Sequence, residues 1–167
     1  MSAMNGTGET NTVTTTTEPV DPTAPTGPTG LEQLRALRER GMPSGIGPFI
    51  GMEPAEVEDG RVVFAATARG EFANPIGTMH GGIAATLLDS AMGCAVHTTL
   101  PAATTYTSLD ISVRYLRPGP LDGSALRAEG RVVHRGRTVR TAEAELTDDK
   151  GRVLATATTT CLVIALG

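Results

Sequence analysis

The chain is poor in aromatic residues, with three Phe, two Tyr and no Trp in 167 residues. Its core must be built from Ala, Val, Leu, Ile and Met, and that composition argues against stacking platforms for single-stranded nucleic acid. Lysine is nearly missing. The basic residues are 13 Arg and one Lys, dispersed along the chain, and the formal net charge is −4. That balance leaves no electrostatic footprint for nucleic acid. Two cysteines, Cys94 and Cys161, are too few for a disulfide framework. Each falls in an apolar pattern where a buried free thiol is expected. Three His and two Cys at unrelated spacings give no zinc signature. No apolar run is long enough to cross a bilayer. No basic-then-apolar leader pattern opens the chain. The expectation is a soluble, cytoplasmic protein without metal, membrane or nucleic-acid partner.

What is present suffices for one domain with a real core. Residues 1–30 hold ten Thr and four Pro and almost nothing large and apolar. Such a segment cannot offset the entropy of ordering, so a disordered tail is expected there. Leu31, Leu34 and Leu37 recur among charges and predict a short amphipathic helix, stopped by Gly41 and Pro43. Residues 31–45 are thus a helix and linker, expected to pack on the edge of a domain at 46–167.

From residue 46 the pattern reads as strand. A weak first strand is expected over 47–57, a turn at Glu58-Asp59-Gly60, and a second strand over 61–68. A helix follows, ending near Leu100 and Pro101. A long strand is expected over 104–116. Simple alternation puts Leu109, Ile111, Val113 and Tyr115 on one face and Ser108, Asp110, Ser112 and Arg114 on the other. Pro118-Gly119-Pro120 breaks it. Leu126, Ala128, Gly130 and Val132 mark the next strand. His134-Arg135-Gly136-Arg137 reads as a compact turn, and strand five runs to about Thr147. A turn at Asp148-Asp149-Lys150-Gly151 leads into a last strand over 152–165. The order β-β-α-β-β-β-β, with three successive hairpins, implies a largely antiparallel sheet. One long helix must be covered by that sheet. The fold class is α+β, an antiparallel sheet wrapped around one central helix.

The chemistry concentrates where the loop Asn74-Pro75-Ile76-Gly77-Thr78-Met79-His80-Gly81-Gly82 runs into that helix. The helix is apolar nearly all round, so it is expected to be buried. It carries one acid, Asp89, which inside a buried helix must be paired or functional. Gly81 and Gly82 stand where the helix begins, and their N–H groups are among the donors that lack an intrahelical partner. Such an end favours developing negative charge. Gly81 and Asp89 are eight residues apart, about 12 Å along a straight helix. One carbonyl needs both its oxyanion donor and its base at about 3 Å. A second, antiparallel copy of the helix would meet that need, which points to a two-fold dimer with two shared sites.

Asn-x-x-Gly-x-x-His-Gly-Gly, with an Asp nine residues after the His, resembles the hotdog-fold acyl-CoA thioesterases, and among them the phenylacetate-pathway (PaaI-like) branch. The resemblance resumes in the strand from Thr107 to Tyr115 and continues loosely to about residue 165. It implies the hotdog fold and hydrolysis of an acyl- or aryl-CoA thioester. It places the catalytic acid at Asp89, supplied by the subunit opposite Gly81. It also places Asn74 beside the thioester carbonyl, and a hydroxyl near the attacking water at Ser108, with Thr107 one register away. Asn74 otherwise reads as an Asn-Pro turn. His80 is expected to cap the loop or orient the Gly-Gly peptide beside the site. For CoA the resemblance points to Tyr115, His134, Arg135, Gly136, Arg137 and Thr138. Arg135 and Arg137 can meet phosphates, or can form an ordinary charged hairpin. No cofactor is implied, since CoA is part of the substrate. Dimers, paired into tetramers, are the assembly expected of this branch.

Two other readings share the fold. Hotdog enoyl-thioester hydratases carry an acid just before the loop His, and no acid lies between Asn74 and His80. A non-catalytic acyl-CoA binder or regulator would not need Asp89 or Asn74. Leu87, Met92 and Phe72 are candidate pocket residues that do not discriminate among acyl groups. Ser90, His97 and Arg117 are expected to be structural.

Overall fold

The structure is a computed structural model that describes residues 26–166. The expected Thr/Pro-rich tail lies outside the described residues as far as residue 25. Helix α1 spans Gly30–Arg40 and α2 Ile46–Ile50. Strands β1 (Glu53–Glu58) and β2 (Arg61–Thr67) follow. A 3-10 turn at Gly70–Phe72 precedes the central helix α3, Gly81–Thr98. Strands β3 (Thr104–Tyr115), β4 (Ala125–Arg135), β5 (Val139–Asp148) and β6 (Val153–Ala165) complete the chain.

The six strands form one sheet in the order β1-β2-β4-β5-β6-β3, every neighbouring pair antiparallel. Helix α3 packs against the sheet from β2 across to β3. Leu87, Leu88, Met92 and Val96 of α3 are fully buried with Phe64, Leu126, Leu146 and Leu154 of the strands. This is the hotdog arrangement that the strand order and the loop motif imply. Leu87, Met92 and Phe72, the candidate pocket residues, are buried in the core.

A glycine sets how closely the sheet approaches the helix. A Cβ on Gly130 would lie 2.3 Å from the Ala91 carbonyl carbon and oxygen and 2.7 Å from the Met92 nitrogen. Helix backbone cannot swing aside as a flexible side chain can. Gly130→Ala is expected to cost about 1–3 kcal/mol through overpacking. Urea unfolding checks this as a lowered midpoint with an unchanged slope.

Helix α1 begins with a capping box. Thr29 caps the Glu32 N–H, and the Glu32 carboxylate returns to the Thr29 N–H at 2.7 Å. Leu34 enters the core, and the Gly30 N–H donates to the Leu100 carbonyl at 3.1 Å, so α1 sits at the far end of α3.

Two expectations about the strands need correction. The strand expected over 47–57 is instead helix α2 followed by β1. Pro48 falls in the first turn of α2, where a missing N–H costs nothing, and Gly51 closes the turn with φ 68°. The apolar Ile46, Phe49 and Ile50 carried no period long enough to separate helix from strand.

The faces of β3 also differ. Ser108 pairs with Cys161 and Asp110 with Thr160, so Leu109 is an extra, bulged residue. A bulge reverses the alternation. Ser108 therefore shares the inner face with Ile111, Val113 and Tyr115, opposite the buried Cys161, Thr159, Ala157 and Ala155. Asp110, Ser112 and Arg114 stay on the outer face.

That outer face carries a cluster of ion pairs. Arg61 donates to Glu129 at 2.9 Å and reaches Glu56 at 2.7 Å; Arg127 and Arg131 also reach Glu129. The Arg61 hydrogen bond above all holds the Glu129 carboxyl down to about 2.

Candidate active site at the start of the central helix

Loop 74–80 is held by its own side chains. The Asn74 Oδ1 accepts from the Ile76 and Thr78 N–H groups, each at 3.1 Å, and its Nδ2 donates to the Thr78 hydroxyl at 2.9 Å. The Asn-Pro turn is therefore real, and it leaves one Asn74 amide hydrogen uncommitted. The His80 N–H donates to the Phe72 carbonyl at 2.7 Å, which pins the loop where the helix begins.

His80 is the N-cap of α3. Its Nδ1 accepts from the Gly82 N–H at 2.8 Å, so the proton of the neutral ring belongs on Nε2. The Ile83 N–H is taken by the His80 carbonyl at 3.0 Å. Among the described residues the Gly81 N–H meets no acceptor. One first-turn donor is thus left free, at the positive end of an 18-residue helix. Tyr115 lies over it: the phenol donates to the Gly81 carbonyl at 3.0 Å, and a Cβ on Gly81 would meet the ring at 3.0–3.2 Å.

Asp89 is exposed, contrary to the expectation of a buried acid. Gly82, Thr86, Asp89 and Ser90 follow one another at helical spacing and leave one stripe of α3 uncovered or half-covered. The stripe is made of small and polar residues, and no described segment of the chain fully covers it. The Ser108 hydroxyl donates to the Asp89 Oδ1 at 3.4 Å, a long contact that the β3 bulge makes possible. Thr107, one register away, falls on the other face. Cys94 is no rival nucleophile, because burial first, and the Asp89 carboxylate second, push its thiol up to about 12.

The expected site residues therefore form three groups along α3. Gly81, His80, Asn74 and Tyr115 gather at its N-terminus. Asp89 and Ser108 meet about 12 Å further along. His134, Arg135, Gly136, Arg137 and Thr138 lie at the other end. There Arg140 of β5 reaches the Thr99 hydroxyl, and Arg135 holds Asp59 at 2.8 Å beside the Gly60 turn that Thr98 caps. The compact turn expected at 134–137 is shifted: His134 and Arg135 belong to β4, and the turn proper is 136–138. Arg135 is occupied by Asp59, whereas Arg137 is exposed.

The sequence reading missed residues near both Asp89 and Gly81. Tyr106 packs its ring against Gly93 and lies 5.9 Å from the His97 ring, behind Asp89. Met79 and Gly119 line a cleft beside Gly81. Met79 carries no signal of its own within the loop motif, and Gly119 lies in the Pro118-Gly119-Pro120 break.

A free peptide N–H at a helix start, set in a hotdog sheet, suits a carbonyl oxygen that gains charge in reaction. The class defined by fold and site is the hotdog enzymes of thioesters. The family model for the thioesterase superfamily matches residues 76–155. A supposed esterase of Halobacterium salinarum is 38% identical over 104 residues, covering 59% of this chain and 67% of that protein. Human acyl-coenzyme A thioesterase 13 is 32% identical over 89 residues, covering 53% of this chain and 62% of that protein. The crystal structure of a phenylacetic acid degradation-related protein from Ralstonia eutropha JMP134 is 31% identical. It superposes with a TM-score of 0.69 over 77% of this chain and 96% of that one. The chain belongs to the thioesterase superfamily, with the PaaI-like hotdog proteins, and is a thioester hydrolase. No helix among the described residues is long and apolar enough to cross a membrane.

Proposed function

We propose that this thioesterase hydrolyses acyl- or aryl-CoA to the free acid and CoA, at two equivalent sites shared across a two-fold dimer. The observation that carries the reading is the separation of the free Gly81 N–H from the Asp89 carboxylate along one unbroken helix. Strand β3 runs antiparallel to α3: Tyr115 meets Gly81, Ser108 meets Asp89, and Tyr106 meets Gly93. β3 is also the sheet's edge, twelve residues long, with Leu109 and Ile111 exposed and no proline to block pairing. Antiparallel pairing of two β3 strands centred between Ile111 and Ser112 sets Ser108 opposite Tyr115 of the partner subunit. The Asp89 carboxylate then approaches the oxyanion donor of the other chain.

In this reading the Gly81 N–H polarises the thioester carbonyl. Asp89 supplies the carboxylate, either as a base on water or by direct attack to form an anhydride, and Ser108 holds that carboxylate. His80 keeps the helix start in shape by occupying the Gly82 N–H. The remaining Asn74 amide hydrogen is available to the carbonyl. Gly136, Arg137, Thr138 and His134, with Tyr115, hold CoA, while Arg135 braces the β1–β2 turn. The reaction needs no cofactor, since CoA arrives as part of the substrate, and we place it in the cytoplasm. Dimers pair further into tetramers through the outer sheet face. There a cleft of about 680 Å³ displays Arg114, Glu143 and Glu145, which form no ion pair among the described residues.

Subunit mixing tests the shared site. Asp89→Asn and Gly81→Pro each disable a different half, so each homodimer is expected to release almost no thiol from acyl-CoA. Random mixing makes half of the dimers mixed, each with one intact site, and should restore roughly a quarter of the wild-type sites. A mixture that exchanges subunits yet stays inactive places both groups in one chain and overturns the shared site.

A further inference from the structure

The apolar cleft beside Gly81 carries an inference about substrate selection, which rests on the thioesterase reading above. It holds about 470 Å³, within the roughly 300–1,000 Å³ usual for small-molecule sites. Its apolar walls include Met79, Ala84, Leu116, Pro118, Leu154 and Ala155. Among the described residues Arg117 is its only charged lining residue, and that guanidinium donates to the Val153 carbonyl at 2.6 Å. The polar pair Asn74 and Thr78 is bonded to itself within the loop. The cleft therefore presents apolar walls next to the one free N–H of the helix start.

Met79 and Gly119 meet across this cleft. A Cβ on Gly119 would lie 2.3 Å from the Met79 Cε, 2.9 Å from its Cβ and 3.0 Å from its Sδ. Met79 is only 7% exposed and belongs to the core cluster, so close-packed neighbours block its retreat inward. Its unbranched thioether can swing, and the open space on its other side is the cleft. Glycine at 119 is what lets the thioether lie back. Its φ is outside the left-handed region, and the three atoms nearest to an added Cβ all belong to Met79.

We propose that Met79 and Gly119 together set the length of uncharged acyl chain that the site accepts, with the chain lying in the cleft and its carbonyl at the Gly81 N–H. A methyl at 119 drives the thioether into the space the chain would fill. Removing the thioether opens the cleft to longer chains.

The test is a series of straight-chain acyl-CoAs from acetyl to dodecanoyl, followed by thiol release. The same lengths are measured as S-alkyl-CoA thioethers, which bind but cannot be hydrolysed, by calorimetry. Gly119→Ala is expected to lower the decanoyl-to-acetyl ratio of kcat/KM by about tenfold or more, since each methylene in an apolar pocket is worth at least that order. Met79→Ala should shift the preference to longer chains, and the double variant should return it toward wild type, as coupled neighbours do. The thioether affinities should follow the same order. Gly119→Ala decides the matter even if Met79→Ala does not fold. An equal loss at every chain length would mean that the cleft holds the pantetheine arm, and the proposal would fall. So would an unchanged length profile. If no thioester is hydrolysed by the wild-type protein, the thioesterase reading fails by itself, and the thioether affinities still decide whether the cleft measures chain length.

Discussion

Asp89→Asn is expected to lower kcat for acyl-CoA hydrolysis by about 10²–10⁴, the usual contribution of a positioned acid or base. The substitution keeps the shape and the contact with the Ser108 hydroxyl but removes the charge that would deprotonate water or attack the carbonyl. Asp89 is exposed and in no ion pair among the described residues, so the variant should unfold at the same denaturant concentration as the wild type. A structural acid would behave in the opposite way, with stability lost and turnover kept. Initial rates across the acyl-CoA series, with a urea titration of the same preparation, separate the two. Turnover within a few-fold of wild type would remove Asp89 from the chemistry.

Gly81→Pro should cost about 10²–10³ in kcat relative to Gly81→Ala, the loss associated with one oxyanion donor. A backbone N–H cannot usually be deleted by substitution, but here the geometry permits it. Gly81 is the first residue of α3, where proline is favoured because that N–H has no intrahelical partner. The preceding residue, His80, has φ −63° and ψ 132°, the extended conformation that a following proline requires. Both variants place a Cβ against the Tyr115 ring, so the alanine variant carries the steric effect without the loss of the donor. The difference between them reports the loss of the N–H and its replacement by the ring Cδ. Equal rates in the two variants would show that the thioester oxygen is held elsewhere.

Local pattern makes much of this protein legible in its sequence. Asp59-Gly60 closes the first hairpin with Gly60 at φ 78°, as its dipeptide predicts. The Gly-Gly pair at the head of an apolar run marked where α3 starts, and His80 caps it there. Helix length alone gave the 12 Å between Gly81 and Asp89 that argues for a second subunit. These features depend on residues close in sequence, so composition and spacing encode them.

The remainder depends on what distant segments do to one another. Alternation along β3 put Ser108 with Arg114, because a bulge at Leu109 is set by pairing with β6, more than forty residues on. Asp89 read as buried because hydrophobicity describes side chains and not coverage. Only the sheet's shape leaves the stripe Gly82, Thr86 and Asp89 open. Arg135 looked free for phosphate until folding brought Asp59 to it. The short apolar segment at Ile46–Ile50 had too few residues to settle helix against strand, and the chain's return into β1 settled it. The sequence by itself determined the central helix with its start at the Gly-Gly pair, the hairpins that follow it, and the spacing of Gly81 and Asp89 along one helix. The exposure of Asp89, the turn of Ser108 toward it and the cleft between Met79 and Gly119 arise only when non-local packing fixes register and coverage.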